Sequence, residues 1–340
     1  DHPKSIFDAP FSHVYVEKTV REHPRAKRIL GKLGHATVIE IDHYKDVFCR
    51  KRQSISIQNQ SPMLILAAKH GHLVYLGSPV CQNFNERYFY YTSCVMNCLY
   101  DCEYCYLKGM YPSGNVVVFV NIEDIFAEVE QLLAEHEVYL CVSHDTDLMA
   151  LEELTGFVSE WGRFVEKTAS RSFPLKIEIR TKCGRTDLWE RLTPQANIIF
   201  AFTLSPQSVI ERYEHRTASL TARLACVRPA MEAGFPVRLC FDPMLYVPDW
   251  KQHYAALLQQ VTNEIPMSRL YDVSVGSFRI SQDYLKKIRR VLPDSAVVQF
   301  PFENDHGVYH YPTPLMNEME DFLVSELLNH LPEDRIFRWK

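Results

Sequence analysis

The sequence has no apolar run approaching the ~20 residues that a bilayer-crossing helix needs. Its first residues include Asp1, His2, Lys4 and Asp8, which interrupt the apolar core a secretory leader requires. It contains no internal repeat and no low-complexity tract. Positive charge is not in excess either. The formal net charge is −5, so the chain as a whole exerts no general attraction on nucleic acid. These absences lead us to expect a soluble, cytoplasmic chain with no membrane partner. At 340 residues it is long enough for one large domain or two modest ones.

Basic residues do gather locally, at Arg21, Arg25, Lys27, Arg28 and Lys32, and again at Lys45, Arg50, Lys51 and Arg52. Each group reads either as a solvated face or as a strip that meets phosphates.

The ten cysteines are unevenly placed. Cys94, Cys98, Cys102 and Cys105 crowd together, while Cys49, Cys81, Cys141, Cys183, Cys226 and Cys240 are scattered. A secreted disulfide scaffold is small and evenly cysteine-dense, so crowding here favours metal ligation in a reducing compartment. Cys98, Cys102 and Cys105 follow an x3, x2 spacing with Tyr104 just before the last. Three thiolates at that spacing fill three corners of an iron–sulfur cube and leave one iron open to a small molecule. The rival is structural zinc, which takes four closed ligands. Cys94 is the one nearby fourth cysteine, and four thiolates on so short a loop would strain a tetrahedral shell.

The chain then divides into three. Residues 1–84 read as an irregular α/β lead-in, with a helix over 19–33 and short β-like runs at 35–41 and 64–76. Residues 85–278 alternate strands and helices. Strands are predicted at 87–91, 138–142, 175–181, 198–204, 237–241 and 270–275, with a β-branched run at 115–120. Asn121 is placed to cap a helix beginning at Ile122, and Gly234 to end the helix over 220–233. Further helices are predicted over 151–165 and 254–261. Such alternation indicates βαβ units and a parallel sheet. Residues 279–340 lose that rhythm: a helix at 283–291, a strand at 296–300, a tyrosine-rich turn, a helix over 314–331 and a short run at 335–339 form a cap.

Parallel α/β proteins keep their active sites at the carboxyl ends of the strands. The chemistry-bearing residues fall there. The cysteine loop follows the first strand, and Cys141, Ser143, His144 and Asp145 end the second. Lys182 ends the third, Thr203 and Ser205 the fourth, Asp242 the fifth, and Arg279 lies just beyond the sixth. Six ends in register imply one shared pocket.

The cysteine spacing, with an aromatic before the third cysteine and βα units after it, resembles the radical SAM superfamily. The stretch Cys98-Leu99-Tyr100-Asp101-Cys102-Glu103-Tyr104-Cys105-Tyr106-Leu107 is similar to the spore photoproduct lyases within it. So are Phe11-Ser12-His13-Val14-Tyr15-Val16-Glu17, the VFVNIEDI segment at 118–125, Cys141 with Ser143 and Asp145, Arg180-Thr181-Lys182, and Phe202-Thr203-Leu204. The resemblance implies a partial (β/α)6 TIM-type barrel of parallel strands. It also implies a [4Fe–4S] cluster on Cys98, Cys102 and Cys105, with S-adenosylmethionine (SAM) chelating the open iron.

By the same resemblance the substrate is DNA in which a methylene bridge joins adjacent thymines, and the enzyme is a carbon–carbon lyase; the alternatives are a radical SAM enzyme of the same architecture acting on a different substrate, and a non-enzymatic metal-binding protein that binds nucleic acid. A 5′-deoxyadenosyl radical takes a hydrogen from C6 of the lesion, and Cys141 returns one to the thymine radical. Tyr106 relays the resulting thiyl radical. Tyr104, Ser143, Asp145, Lys182 and Thr203 are implied SAM contacts, and Arg279, Tyr309 and His310 implied lesion contacts. An external flavodoxin or ferredoxin supplies the electron, and the compartment is the spore core. On the residues alone, Cys141 also reads as a buried apolar-type thiol, Lys182 as a solvated strand end, and the 305–311 segment as a packed hairpin tip. This sequence departs from the family at Val308, where an arginine is usual, and at His144, an extra residue before Asp145. Cys94 is additional, an unused thiol or a second radical relay.

Overall fold

The computed structural model describes residues 11–339, so the reading of residues 1–8 lies outside the described residues. The chain forms two compact units, each discontinuous in sequence. The first takes the described residues up to Gly77 with Glu86–Asp101 and Met110–Ile179. The second takes Ser78–Asn85, Cys102–Gly109 and the chain from Arg180 onward.

In the first unit, the lead-in proves regular. His13–Glu17 pairs in parallel with Thr37–Ile41 on one side and Leu64–Ala67 on the other. Leu64–Ala67 pairs in parallel with Val116–Phe119, and Val95–Met96 closes that edge antiparallel. The inner strands read LILA and VVVF and are buried at every position, as expected of parallel strands covered on both faces. Tyr15, Phe48, Ile65, Val117 and Phe119 make the core there. Three short strands far apart in sequence carry little periodic signal of their own, and only their mutual pairing shows the sheet.

The same unit holds the first predicted strands of the regular region. Phe89–Thr92 and Val138–Cys141 run parallel, and Val138–Cys141 runs parallel to the start of Leu175–Thr181. The helix Ile122–Leu133 follows Asn121, but the Asn121 side chain does not cap it. That amide instead bonds both backbone groups of Lys69 and the Asp124 carboxylate, fastening the loop after Ala67. The predicted helix over 151–165 is broken at Gly156, whose φ of 67° ends Glu152–Thr155 before Phe157–Thr168 begins. The first basic group is largely engaged within the unit. Arg25 is buried against Glu123, Glu160 and the Val120 carbonyl, Arg21 pairs with Glu40, and Arg28 and Lys32 donate to the Thr155 and Glu153 carbonyls.

In the second unit, Ile198–Thr203, Val237–Met244 and Asp272–Ser277 run parallel in chain order, and Ile336–Arg338 adds a further parallel strand. Leu220–Glu232 ends where predicted: Gly234 sits at φ 97°, with the Phe235 N–H reaching back to the Ala230 carbonyl. Buried Glu320 of the helix Thr313–Leu327 accepts from Ser277 and Arg338, fixing that helix to the sheet.

One predicted strand is absent. Residues 296–300 form turns, because Arg289 donates to the Val298 and Phe300 carbonyls and Gln299 reaches back to those of Arg289 and Leu292. Side chains satisfy those backbone acceptors in place of a ladder. The strands lie just beyond, at Glu303–Asp305 and Val308–His310, joined by a His306-Gly307 turn with both φ positive. Arg279–Ser281 completes this antiparallel sheet.

Candidate functional site

The second unit contains Cys102 and Cys105, and the groups around them are densely connected. Glu103 donates its backbone N–H to the Tyr213 carbonyl (2.9 Å), and its carboxylate meets His215 Nε2 at 2.7 Å. Tyr104 is buried, and its hydroxyl donates to Glu214. That Glu214 oxygen also accepts from Ser205 (3.0 Å), while the other pairs with Arg223 at 2.6 Å. Both side chains of the Glu214–Arg223 pair have no solvent exposure. Arg223 uses its remaining donors on the Thr203 and Ala218 carbonyls and the Thr217 hydroxyl. Thr203 is thereby held at its strand end through its backbone.

Burial pushes the Cys102 thiol up to about 11, opposed by the positive charge of Lys182. At that value the thiol is protonated near neutral pH, and a metal bound there would displace the proton. Burial alone would lower Lys182, but its electrostatic coupling to Cys102 and Glu214 outweighs that and raises its pKa. The Lys182 ammonium lies 5.6 Å from the centre of the Tyr104 ring, and buried Lys108 donates to the Cys102 carbonyl. None of the ten cysteines is in a disulfide, and two cations flank the Cys102 and Cys105 thiols, which suits an anionic thiolate-bound cluster. Among the described residues no three His, Cys, Asp or Glu side chains close on a single point. In a cube each thiolate meets a different iron, and the ligand assignment rests on the spacing.

Tyr106 lies near-parallel to Tyr284, with ring centres 6.4 Å apart. Gly109 makes that approach attainable, since a Cβ there would sit 2.6 Å from the Tyr284 backbone. Arg279 and His310 are register partners in the three-stranded sheet, as are Ile280 and Tyr309. The sheet therefore brings all three implied lesion contacts together. The Arg279 guanidinium lies 4.3 Å from the Trp339 ring centre and 3.9 Å from Asp242. Tyr309 lines a cavity of about 410 Å³ with Gln282, Asp283, Lys286 and Arg289. His310 is buried, and its Nδ1 lies 2.6 Å from the Tyr311 carbonyl.

The first unit contains Cys98, Cys141, Ser143 and Asp145. The Cys98 sulfur accepts from the Tyr100 N–H at 3.4 Å. Cys141 ends its strand opposite Glu178, and its thiol lies 3.9 Å from one Glu178 oxygen. The other accepts from the Tyr139 hydroxyl at 3.0 Å. The extra His144 lies against the Tyr91 ring, 4.3 Å between centres, while Ser143 and Asp145 on either side of it are buried. Asp145 accepts from the Tyr111 hydroxyl through one oxygen. Its other oxygen is buried without a hydrogen-bond partner, the kind of acceptor a ligand hydroxyl satisfies. Burial raises the Asp145 carboxyl to about 6, against the lowering effect of Tyr111. Cys94 is fully buried and pushed by that burial up to about 12.

Glu214, Arg223, Glu178 and Tyr139 were not singled out by the sequence. Glu214 lies 110 residues from Tyr104, and no spacing rule links a charged residue to a partner so distant.

The residues from 80 to 301, more than half of the chain, match the family model described as spore photoproduct lyase. A spore photoproduct lyase from Clostridium acetobutylicum is 25% identical over 248 residues, 68% of this chain and 71% of that protein. One from Bacillus subtilis (strain 168) is 22% identical over 199 residues, 57% of this chain and 56% of its own length. The solved structure of a spore photoproduct lyase double mutant, with bound AdoMet and dinucleoside spore photoproduct, superposes with a TM-score of 0.81. It shares 19% identity, over 97% of this chain and 98% of that one. A likeness of that extent shows the same fold, and with the match over residues 80–301 the chain belongs to the spore photoproduct lyase family.

Proposed function

We propose that this chain is a radical SAM lyase that reverts the spore photoproduct, 5-thyminyl-5,6-dihydrothymine, to two thymines in DNA. The observation that carries the reading is Cys141, a thiol at a strand end opposite Glu178 in a chain of this family. Cys98, Cys102 and Cys105 would hold three irons of a [4Fe–4S] cluster. Tyr104, Ser143, Asp145, Lys182 and Thr203 would hold SAM, with the unpartnered Asp145 oxygen accepting from a ribose hydroxyl. When bound, cluster and SAM supply a 5′-deoxyadenosyl radical that takes a hydrogen atom from the lesion.

The protein's own part is positioning and hydrogen return. Arg279, Tyr309 and His310 orient the lesion from the three-stranded sheet. Cys141 gives its S–H hydrogen atom to the thymine radical, and a hydrogen atom from Tyr106 would restore the thiol. Glu178, held by Tyr139, accepts from the Cys141 S–H and so orients the thiol. A flavodoxin or ferredoxin would supply the electron. Among the described residues no helix is long and apolar enough to cross a membrane, and we place the enzyme in the cytoplasm, in the spore core of a spore former.

The test is anaerobic incubation of reconstituted protein with SAM, a reductant and dinucleoside spore photoproduct. Recovery of thymidylyl-thymidine is expected. Formation of 5′-deoxyadenosine with the lesion left intact would sink the assigned substrate.

A further inference from the structure

The stretch from Cys102 to Cys105 is tied to one short segment at three successive places. Glu103 bonds Tyr213 through its backbone and His215 through its side chain, and Tyr104 bonds Glu214. Two of these ties are polar contacts that a solvated loop would make with water. The third ends on a carboxylate wholly removed from solvent. Glu214 holds that place because Arg223 and Ser205 also donate to it, and Arg223 in turn grips the Thr203 carbonyl. Residues 213–215, Arg223 and the end of the strand Ile198–Thr203 therefore make one network, and the backbone between the two cysteines is fastened to it.

We infer that Tyr213–His215, backed by Arg223, is a clamp that sets the Cys102–Cys105 loop in its ligand conformation before any cluster is present. Glu214 and Arg223 are positioning residues, acting on the cluster through Tyr104. The inference rests on the proposed ligand set but concerns the loop itself. A short loop with no such ties would have to be ordered by the incoming iron, and the ordering entropy would weaken the site. A loop already ordered binds without that cost.

Tyr104→Phe removes the hydroxyl and keeps the ring. Peptide-resolved hydrogen exchange on the metal-free chain tests the clamp with no cluster in play. Amides at 102–105 should exchange roughly fivefold to tenfold faster in Tyr104→Phe, as for loss of one buried hydrogen bond, with Val237–Met244 unchanged. Reconstituted Tyr104→Phe should also lose iron to a chelator several-fold sooner than wild type, with the reduced cluster's electron paramagnetic resonance spectrum broadened. Equal exchange at 102–105 in the two proteins would overturn the clamp. Equal iron retention would overturn its role in holding the cluster. If wild type takes up no iron, the proposed ligand set fails, and the exchange measurement still decides the clamp.

Discussion

Folding makes Asp145 harder to ionise. Its carboxyl lies at about 6 in the folded chain against an ordinary 3.8, because burial penalises the charged form. The native state therefore holds a proton that the unfolded state has released between ~pH 4 and ~pH 6, and stability falls as pH rises through that window. The loss is about 3 kcal/mol at most by pH 7. Asp145→Asn should remove this part of the pH dependence, which urea unfolding at several pH values will read. A slope identical to wild type would mean the carboxyl is paired in solution. Cys141→Ala makes a different demand. The lesion should still open, but the thymine radical should be quenched into adducts, seen by product mass spectrometry; clean thymidylyl-thymidine would remove Cys141 as the donor. Among single residues, Cys98, Cys102 and Cys105 stood out in the sequence because a spacing on one loop is local. Glu178 was not legible, since nothing along the chain says that a glutamate on one strand lies opposite a cysteine on another.

At the level of elements, strands buried on both faces announced themselves as apolar runs, and the six predicted strands of the regular region were found close to their expected bounds. The strand expected at 296–300 failed because side chains took its backbone bonding. Val297, Val298 and Phe300 have the composition of a strand, yet Arg289 takes two of the carbonyls that a ladder would use. A charge pair shows the same dependence on pairing. Arg238 and Asp272 are register partners on adjacent parallel strands, bonded Nε–Oδ1 at 2.5 Å and NH2–Oδ2 at 2.8 Å, with the guanidinium carbon 3.3 Å from the centre of the Phe84 ring. Neither is exposed enough for water to replace a lost partner. Asp272→Ala should destabilise by about 3–5 kcal/mol, since it takes the carboxylate away from a buried guanidinium. Replacing both residues, as Arg238→Met with Asp272→Leu, should recover most of that loss in chemical denaturation. If the double replacement is as unstable as the single one, the pair is needed for register and not only for charge balance.

Across the whole molecule, the consequence of the architecture is that neither unit is a contiguous piece of sequence. The second unit draws Ser78–Asn85 and Cys102–Gly109 from far upstream, and both inserts supply interior contacts. Phe84 packs its ring under Arg238 and against Phe337, so the pair joining two strands of the sheet loses its cover without it. Tyr104 brings the hydroxyl that occupies Glu214, and Tyr106 stacks on Tyr284. A fragment beginning at Arg180 would retain the four parallel strands and their helices but expose the Arg238–Asp272 pair and leave Glu214 short of a donor. Breaking two buried polar networks at several kcal/mol each removes a large share of the ~5–15 kcal/mol that a domain commands. The fragment 180–340 should therefore show helical far-ultraviolet circular dichroism without a cooperative thermal transition, whereas the full chain should unfold cooperatively. Adding a synthetic peptide spanning residues 100–110 should restore part of the transition, and the same peptide with Tyr104→Phe should restore less. A fragment that melts as sharply as the full chain would show that the upstream inserts only decorate the second unit.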